Sequence, residues 1–208
     1  MAYYITNLKK LYNVVGDGIH NLLQDFECPL NGDVEYFFKH KSIEFSKQGL
    51  AETFVVFSSY KDENVIVGYF SLTNKTTKIK KDVLKGKTKK RMSRFAQFDD
   101  GGKYFYVSLP LIGQIGKNYF NNYNKLISGD ELLQIACSKI KIVQDIIGGR
   151  FVFLECEDKE KLRNFYESNG FVCFGKRNLE KDERQKNSGE YLLQMLCDLS
   201  NFNIKNIK

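Results

Sequence analysis

Apolar residues recur at helical spacing from Leu8 through Leu11, Val14 or Val15, Ile19, Leu22 and Leu23 to Phe26, with Gly16-Asp17-Gly18 breaking the run. A second helix is expected from a cap at Asp33 to about Gln48, ended by Gly49. The period then shortens to two. Thr53–Ser58 and Val65–Leu72 are β-branched and aromatic and read as a hairpin around Lys61-Asp62-Glu63-Asn64. Another strand is expected from Tyr104 to about Ile115, with Pro110 marking a bulge or an edge. The clearest helix spans Asp130 to Ile147, where Leu132, Ala136, Ile140, Val143 and Ile147 share one face and Gly148-Gly149 stops it. Phe151–Glu155 follows as a buried strand, then a short helix capped by Asp158 and stopped at Asn169-Gly170. Phe171–Phe174 and Tyr191–Cys197 are two last strands around a charged loop. The order α, α, β, β, β, α, β, α, β, β predicts a mixed α/β (α+β) sheet of six to seven strands flanked by helices.

Composition narrows the class. At 42% hydrophobic the 208-residue chain is no disordered tail, and its length can bury about 70% of the unfolded surface without disulfides or a structural metal. No apolar run approaches the ~18 residues of a membrane span, and Met1-Ala2-Tyr3-Tyr4-Ile5-Thr6-Asn7 lacks a basic-then-apolar leader, so a soluble, cytoplasmic protein with no membrane partner is expected. The cysteines (Cys28, Cys137, Cys156, Cys173, Cys197) are odd in number, show no C-x-x-C spacing and mostly sit in apolar runs, as small hydrophobes do. His20 and His40 have no partners at ligand spacing, so no metal site is expected, and G-x-S-x-G is absent.

Charge changes the picture further. Between Lys75 and Arg94 ten Lys or Arg residues face Asp82 alone, a net +9 in a chain whose total is +7. A cationic strip on a nearly neutral body suits a polyanion, RNA, DNA or a nucleotide cofactor, although a solvated lysine-rich loop has the same composition.

Three stretches resemble the Gcn5-related N-acetyltransferase (GNAT) superfamily. Phe165-Tyr166-Glu167-Ser168-Asn169-Gly170-Phe171 is similar to its F-Y-x-x-x-G-F signature. Ser128-Gly129-Asp130-Glu131-Leu132-Leu133 stands where its acetyl-CoA loop opens a long helix, and Leu111-Ile112-Gly113-Gln114-Ile115-Gly116-Lys117-Asn118 where a strand splays before that loop. The match covers roughly residues 33–198. It implies an N-terminal helical extension over 1–32 and an acetyltransferase domain over 33–208, with a basic insert at about 75–94. The family's pyrophosphate pattern, [Q/R]-x-x-G-x-[G/A], becomes Asn124-x-x-Ile127-x-Gly129 here, keeping only the last glycine, and Tyr119 to Asn124 is longer by about two residues.

The resemblance implies acetyl-CoA as acyl donor and an amine as acceptor. Cofactor contacts would come from Ile115, Gly116, Lys117, Asn124, Lys125, Ile127, Ser128, Gly129 and Asp130. A glycine at a helix start suits a diphosphate, yet Ser128 and Glu131 also fit an ordinary S-x-x-E capping box. Tyr166 would hydrogen-bond the departing thiolate, or its ring simply fills the core. The strand Lys103 to Lys117 holds no Asp, Glu or His to act as base; Glu155 and Glu157 follow the next strand and Glu52 and Asp99 are unplaced, so a base among these four stays open. At pH 7 about one α-amine in ten is neutral, against roughly one lysine in 2,500, so the α-amine is the easier acceptor. Lys89-Lys90-Arg91-Met92-Ser93-Arg94 is similar to an insert of toxin-type members, which acetylate aminoacyl-tRNA. On that likeness Lys89, Lys90, Arg91 and Arg94 would contact tRNA, and a small antitoxin-like protein and a homodimer join the candidate partners. A small-molecule or protein amine as acceptor, or a non-catalytic nucleic-acid binder, are the competing readings.

Overall fold

A computed structural model describes residues 2–180 and 189–201. Residues 181–188 of the expected charged loop, and 202–208 at the end of the expected domain, lie outside the described residues. The expected mixed sheet forms with eight strands: β1 (Tyr3–Asn7), β2 (Glu52–Tyr60), β3 (Glu63–Lys80), β4 (Gln97–Phe98), β5 (Tyr104–Lys117), β6 (Phe151–Glu157), β7 (Val172–Asn178) and β8 (Tyr191–Asp198). The order is β1-β2-β3-β5-β6-β8-β7, with β4 pairing β5. Seven helices accompany them among the described residues: α1 (Leu8–Val15), α2 (Ile19–Gln24), α3 (Gly32–His40), α4 (Ser42–Gln48), α5 (Gly86–Met92), α6 (Gly129–Ile147) and α7 (Glu160–Ser168).

The chain divides into two compact units. Among the described residues the first holds the chain up to Thr73 together with Ile112–Ser138, and the second holds Asn74–Leu111 and residues 139–201. Pro110 lies next to one of these crossings. It does not mark an edge strand, because β5 stands between β3 and β6 in the order.

In the first unit, β1 adds to β2 antiparallel, with Tyr3 opposite Ser58 and Asn7 opposite Phe54. The sequence pattern predicts only helix over 1–32, but Tyr3-Tyr4-Ile5-Thr6 forms this strand before α1 begins. Asn7 then caps α1 by accepting the Lys10 N–H at 2.8 Å. Gly16–Gly18 is a 3-10 turn between α1 and α2. The second expected helix is two. Asn31, not Asp33, caps α3 by accepting the Asp33 and Val34 N–H groups, and α4 ends where Gly49 turns left-handed. The β2–β3 turn needs only Lys61 and Asp62, both at positive φ (51° and 65°), as a two-residue hairpin demands.

The first unit's core gathers Phe26, Phe38 and Tyr69 with Leu8, Ile19, Leu23 and Val55. The Phe38 and Tyr69 rings stack at 4.2 Å, and the Tyr69 hydroxyl donates to the Val34 carbonyl at 2.5 Å. That bond spares the fully buried hydroxyl a desolvation cost of about 1–3 kcal/mol. Gly116 is set by the same packing: a Cβ there would lie 2.5 Å from Val34 Cγ1.

Asn118, at the end of β5, ties this unit together. Its backbone N–H donates to the Val67 carbonyl and its Nδ2 to the Ile66 carbonyl, both at 2.9 Å. Its Oδ1 accepts from the N–H groups of Glu27 (3.0 Å) and Phe120 (3.1 Å). One buried carboxamide thus fixes β3, the segment after α2 and the chain leaving β5.

In the second unit β8 runs antiparallel between β6 and β7, with Phe153 opposite Leu196 and Val172 opposite Leu196. Ile79, Leu84, Met92, Phe105, Phe151, Phe153 and Phe174 fill its core. The stretch expected as an insert is ordered structure: β3 continues through Lys80, and α5 follows. Asp158 does not cap α7; it pairs with Arg163 and accepts from the Tyr191 hydroxyl at 2.7 Å. On α6, Val143 and Ile147 are exposed rather than buried, and Gln144 turns inward to donate to the Phe151 carbonyl at 2.8 Å. Asp198 joins Arg91 (2.9 Å) and Arg150 (3.1 Å), linking α5 and the start of β6 to the end of β8.

Two outcomes follow from these networks. Asn118→Ala strands two N–H groups and a carbonyl, so it should destabilise the protein by about 3 kcal/mol, read as a lower urea midpoint. Burial alone would raise the Asp198 carboxyl, but Ser200, Arg150 and Arg91 outweigh it and hold it below the usual carboxylate range. The unfolded chain therefore takes up this proton first, and the stability it contributes is lost as pH falls through about 4 and below. Asp198→Asn should flatten the acid limb of a stability–pH curve and lower stability at pH 7.

Candidate functional site

A cleft of ≈ 560 Å³ opens in the first unit at the start of α6. The sequence-assigned Lys117, Asn124, Lys125, Ile127 and Ser128 all line it, joined by Tyr3, Leu126 and Glu131. Gly129 and Asp130 begin the helix beside it. Ile115 and Gly116 lie upstream on β5, where the bare Gly116 backbone is explained by Val34.

The added length of the loop is absorbed locally. Phe120–Lys125 coils as a 3-10 segment in which Asn121 and Asn122 both adopt left-handed φ (49° and 62°), a conformation asparagine tolerates well. Lys117 then clamps the loop from below. Its Nζ donates to the carbonyls of Asn124 (3.0 Å) and Ile127 (3.2 Å). An ammonium has three donors, so one remains for a ligand. Burial lowers the Lys117 pKa and nearby Glu131 opposes the shift.

At the helix start the S-x-x-E capping box is fully made. Ser128 N–H donates to Glu131 Oε2 at 2.8 Å and Glu131 N–H to Ser128 Oγ at 3.1 Å. Burial acts to raise the Glu131 carboxyl, but the Ser128 bonds and Tyr3 hold it below its usual range. Tyr3, from β1, donates its hydroxyl to the Leu126 carbonyl at 3.1 Å, and burial with Glu131 nearby pushes its pKa up to about 12. Tyr3 is the cleft residue that the sequence pattern misses, although the aromatic, β-branched run Tyr3-Tyr4-Ile5-Thr6 signals its strand. The capping box leaves the Gly129 N–H without a partner among the described residues. Lys117 and Lys125 line the cleft, and the helix's positive end with the Gly129 amide stands beside it, a donor set suited to a phosphate.

Tyr166 belongs to the second unit, on α7, and is buried. Its signature has a local logic: Gly170 takes φ +81° to end the helix, the Phe171 N–H returns to the Tyr166 carbonyl at 3.0 Å, and Phe165 and Phe171 pack edge-on at 5.0 and 5.9 Å. No described residue hydrogen-bonds the Tyr166 hydroxyl, and burial, with Cys156 nearby, raises its pKa well above the usual tyrosine value.

The four carboxylates left open by the sequence have structural partners. Glu155 is held by Arg177 (2.8 Å) and Gln194 (2.9 Å), and Glu157 pairs with Lys159 at 2.7 Å. Asp99 accepts the Tyr104 N–H at 2.7 Å, and Glu52, raised by burial, takes the Lys9 N–H at the start of α1.

The basic residues divide into two groups. Arg91 pairs with Asp198, Lys75 with Glu155 (3.7 Å) and Lys80 with Asp82 (3.0 Å). Lys85, Lys87, Lys89, Lys90 and Arg94 are exposed and form no ion pair among the described residues. Of the four residues assigned to RNA, the structure thus places Lys89, Lys90 and Arg94 in solvent and uses Arg91 as a strut.

No protein-family model matches the sequence, and no curated protein matches it. Solved structures do. A tyrosine-to-phenylalanine mutant of the AtaT toxin bound to the C-terminus of the antitoxin AtaR and acetyl-CoA is 14% identical, with TM-score 0.58 over 97% of this chain and 96% of that one. A tyrosine-to-phenylalanine mutant of KacT is 13% identical, with TM-score 0.62 over 97% and 98%. AtaT complexed with acetyl-methionyl-tRNAfMet is 15% identical, with TM-score 0.58 over 92% and 93%. The chain therefore has the fold of these structures, a GNAT-like mixed sheet flanked by helices.

Proposed function

We propose that the protein is an N-acetyltransferase that moves an acetyl group from acetyl-CoA to a primary amine, the α-amine of an aminoacyl-tRNA being the acceptor. The carrying observation is the cleft at the start of α6, whose Lys117, Lys125 and Gly129 N–H suit the cofactor's pyrophosphate within this fold. The neighbours solved with acetyl-CoA, an antitoxin and a tRNA product support the donor, a small antitoxin-like partner and an RNA-linked acceptor.

Bound acetyl-CoA supplies the acetyl group as a thioester, and the amine's attack yields an amide and the thiol of CoA. The chain's own work is to hold the phosphates, place the amine and meet charge on the departing sulfur. Tyr166 serves the last task as a donor. A tyrosine near 10 and a thiol near 8.5 already make full proton transfer uphill by roughly 2 kcal/mol, and burial adds to that, so the hydroxyl keeps its proton and hydrogen-bonds the thiolate. With Glu155, Glu157 and Asp99 held by other groups, an acceptor that is neutral in about one molecule in ten at pH 7 fits better than one neutral in roughly one molecule in 2,500, which favours the α-amine over lysine.

Labelled acetyl-CoA with bulk tRNA, aminoacylated or deacylated, tests the reading: label should enter only the charged RNA. Label in neither, with acetyl-CoA still raising Tm, would transfer the reaction to a small-molecule or protein amine. Tyr166→Phe should lower kcat roughly 100-fold while the Kd for acetyl-CoA stays nearly constant, and an unchanged kcat removes Tyr166 from the reaction. Lys125→Ala should weaken acetyl-CoA about tenfold in a binding titration with little change in basal Tm, whereas Lys117→Ala should lower both, since Lys117 also holds the loop.

A further inference from the structure

The second unit carries a surface that holds none of the residues assigned above to the cofactor or to Tyr166's role. Burial alternates along β5, with Phe105, Val107 and Leu109 inside and Tyr104, Tyr106 and Ser108 outward; along β3, Thr77 and Ile79 are inside while Thr76, Lys78 and Lys80 are outward. The outward face therefore presents two tyrosines, two lysines and small polar groups. Lys78 Nζ lies 3.9 Å from the Tyr104 ring centroid and 5.7 Å from that of Tyr106, so one ammonium serves both rings. Asn74 Nδ2 donates to Ser108 Oγ at 2.9 Å beside them. Residues 74–80 and 104–109 contain no acidic side chain, and residues 74–111 as a whole hold eleven Lys or Arg against Asp82, Asp99 and Asp100.

A sheet face kept merely soluble needs lysine and threonine. This face also carries tyrosine rings left partly open to water, Tyr106 being 38% exposed. Aromatic rings on an open sheet beside Lys78, which forms no ion pair among the described residues while Lys75 and Lys80 are held by Glu155 and Asp82, match the chemistry of unpaired nucleotides: each base has a face to stack, and each phosphate needs a cation. Side chains two apart on a strand stand about 7 Å from one another, so a base on Tyr106 clears the Tyr104 ring that Lys78 covers. A double-stranded stem offers no open base face to such rings, and an acidic peptide would meet the lysines but leave the rings without partners.

We propose that Tyr104, Tyr106 and Lys78 form a stacking platform for single-stranded RNA, Tyr106 carrying the base and Lys78 the adjoining phosphate. The inference deepens the RNA-linked acceptor reading and rests on it for the source of the strand.

The test is fluorescence anisotropy of the full chain with a labelled 12-nucleotide single-stranded RNA and with the same sequence as a duplex, without acetyl-CoA. The single strand should bind more tightly than the duplex. Tyr106→Ala should weaken it on the order of 5- to 100-fold, while Tyr106→Phe, which keeps the ring, should bind as the natural protein does. Heparin, a polyanion without bases, should bind Tyr106→Ala and the natural protein alike. Equal RNA affinity in Tyr106→Ala, preference for the duplex, or an equal loss of heparin binding would each overturn the platform. If the RNA does not bind and acetyl-CoA still raises Tm, the platform fails and the acetyltransferase reading stands. If Tyr106→Ala loses single-stranded RNA while acetyl-CoA leaves Tm unchanged, the platform stands and the acetyltransferase reading fails.

Discussion

The first unit depends on how one buried carboxamide is satisfied. Asn118 has two side-chain functions, a donor and an acceptor, and both meet backbone groups from segments far apart in sequence. A strand that leaves its neighbours must abandon ladder hydrogen bonds, and buried backbone groups cannot be left bare without a cost of about 1–3 kcal/mol each. Asn118 stands at that departure point and replaces the missing ladder partners with its own side chain. The geometry downstream follows from it. The loop after β5 starts at a fixed place, Lys117 beneath it can reach two loop carbonyls, and the start of α6 faces an open cleft.

The sequence shows the elements that obey a period and conceals those decided by single contacts. The strands flanking Lys61-Asp62 and the long helix were readable because their apolar positions repeat. The same rule was present in β3 beyond Leu72, where Thr77 and Ile79 alternate with Lys78 and Lys80, but the density of lysine masked a strand of period two as an insert. Val143 and Ile147 fit the helical face by spacing, yet the glutamine beside them is buried, because its amide meets the Phe151 carbonyl. Nothing in a pattern of hydrophobicity announces such a bond. In the cleft, the residue types near Ser128 were legible from their likeness to a phosphate loop. Tyr3 was not, since its role comes from pairing of β1 with a strand some fifty residues away.

Charge count and charge use also diverge. The cationic strip looks uniform in sequence, but the fold spends Arg91, Lys75 and Lys80 on carboxylates and lays Lys78 and Lys81 against aromatic rings. Outside both kinds of contact among the described residues stand Lys85, Lys87, Lys89, Lys90 and Arg94, on α5 and at its two ends. Arg91, assigned to RNA by sequence together with Lys89, Lys90 and Arg94, braces α5 against β8 through Asp198. A reading based on composition would have given it the same work as Lys90.

β1 stands at one end of the strand order, paired on one side only, and edge strands are the first to fray. Its Tyr3 hydroxyl nevertheless reaches the Leu126 carbonyl in the wall of the cleft. Opening of the sheet's edge therefore releases that wall, and a ligand that steadies the wall holds the edge closed. The slowing of amide exchange that a bound anion confers would then extend along β1 beyond Tyr3, into Tyr4 to Thr6.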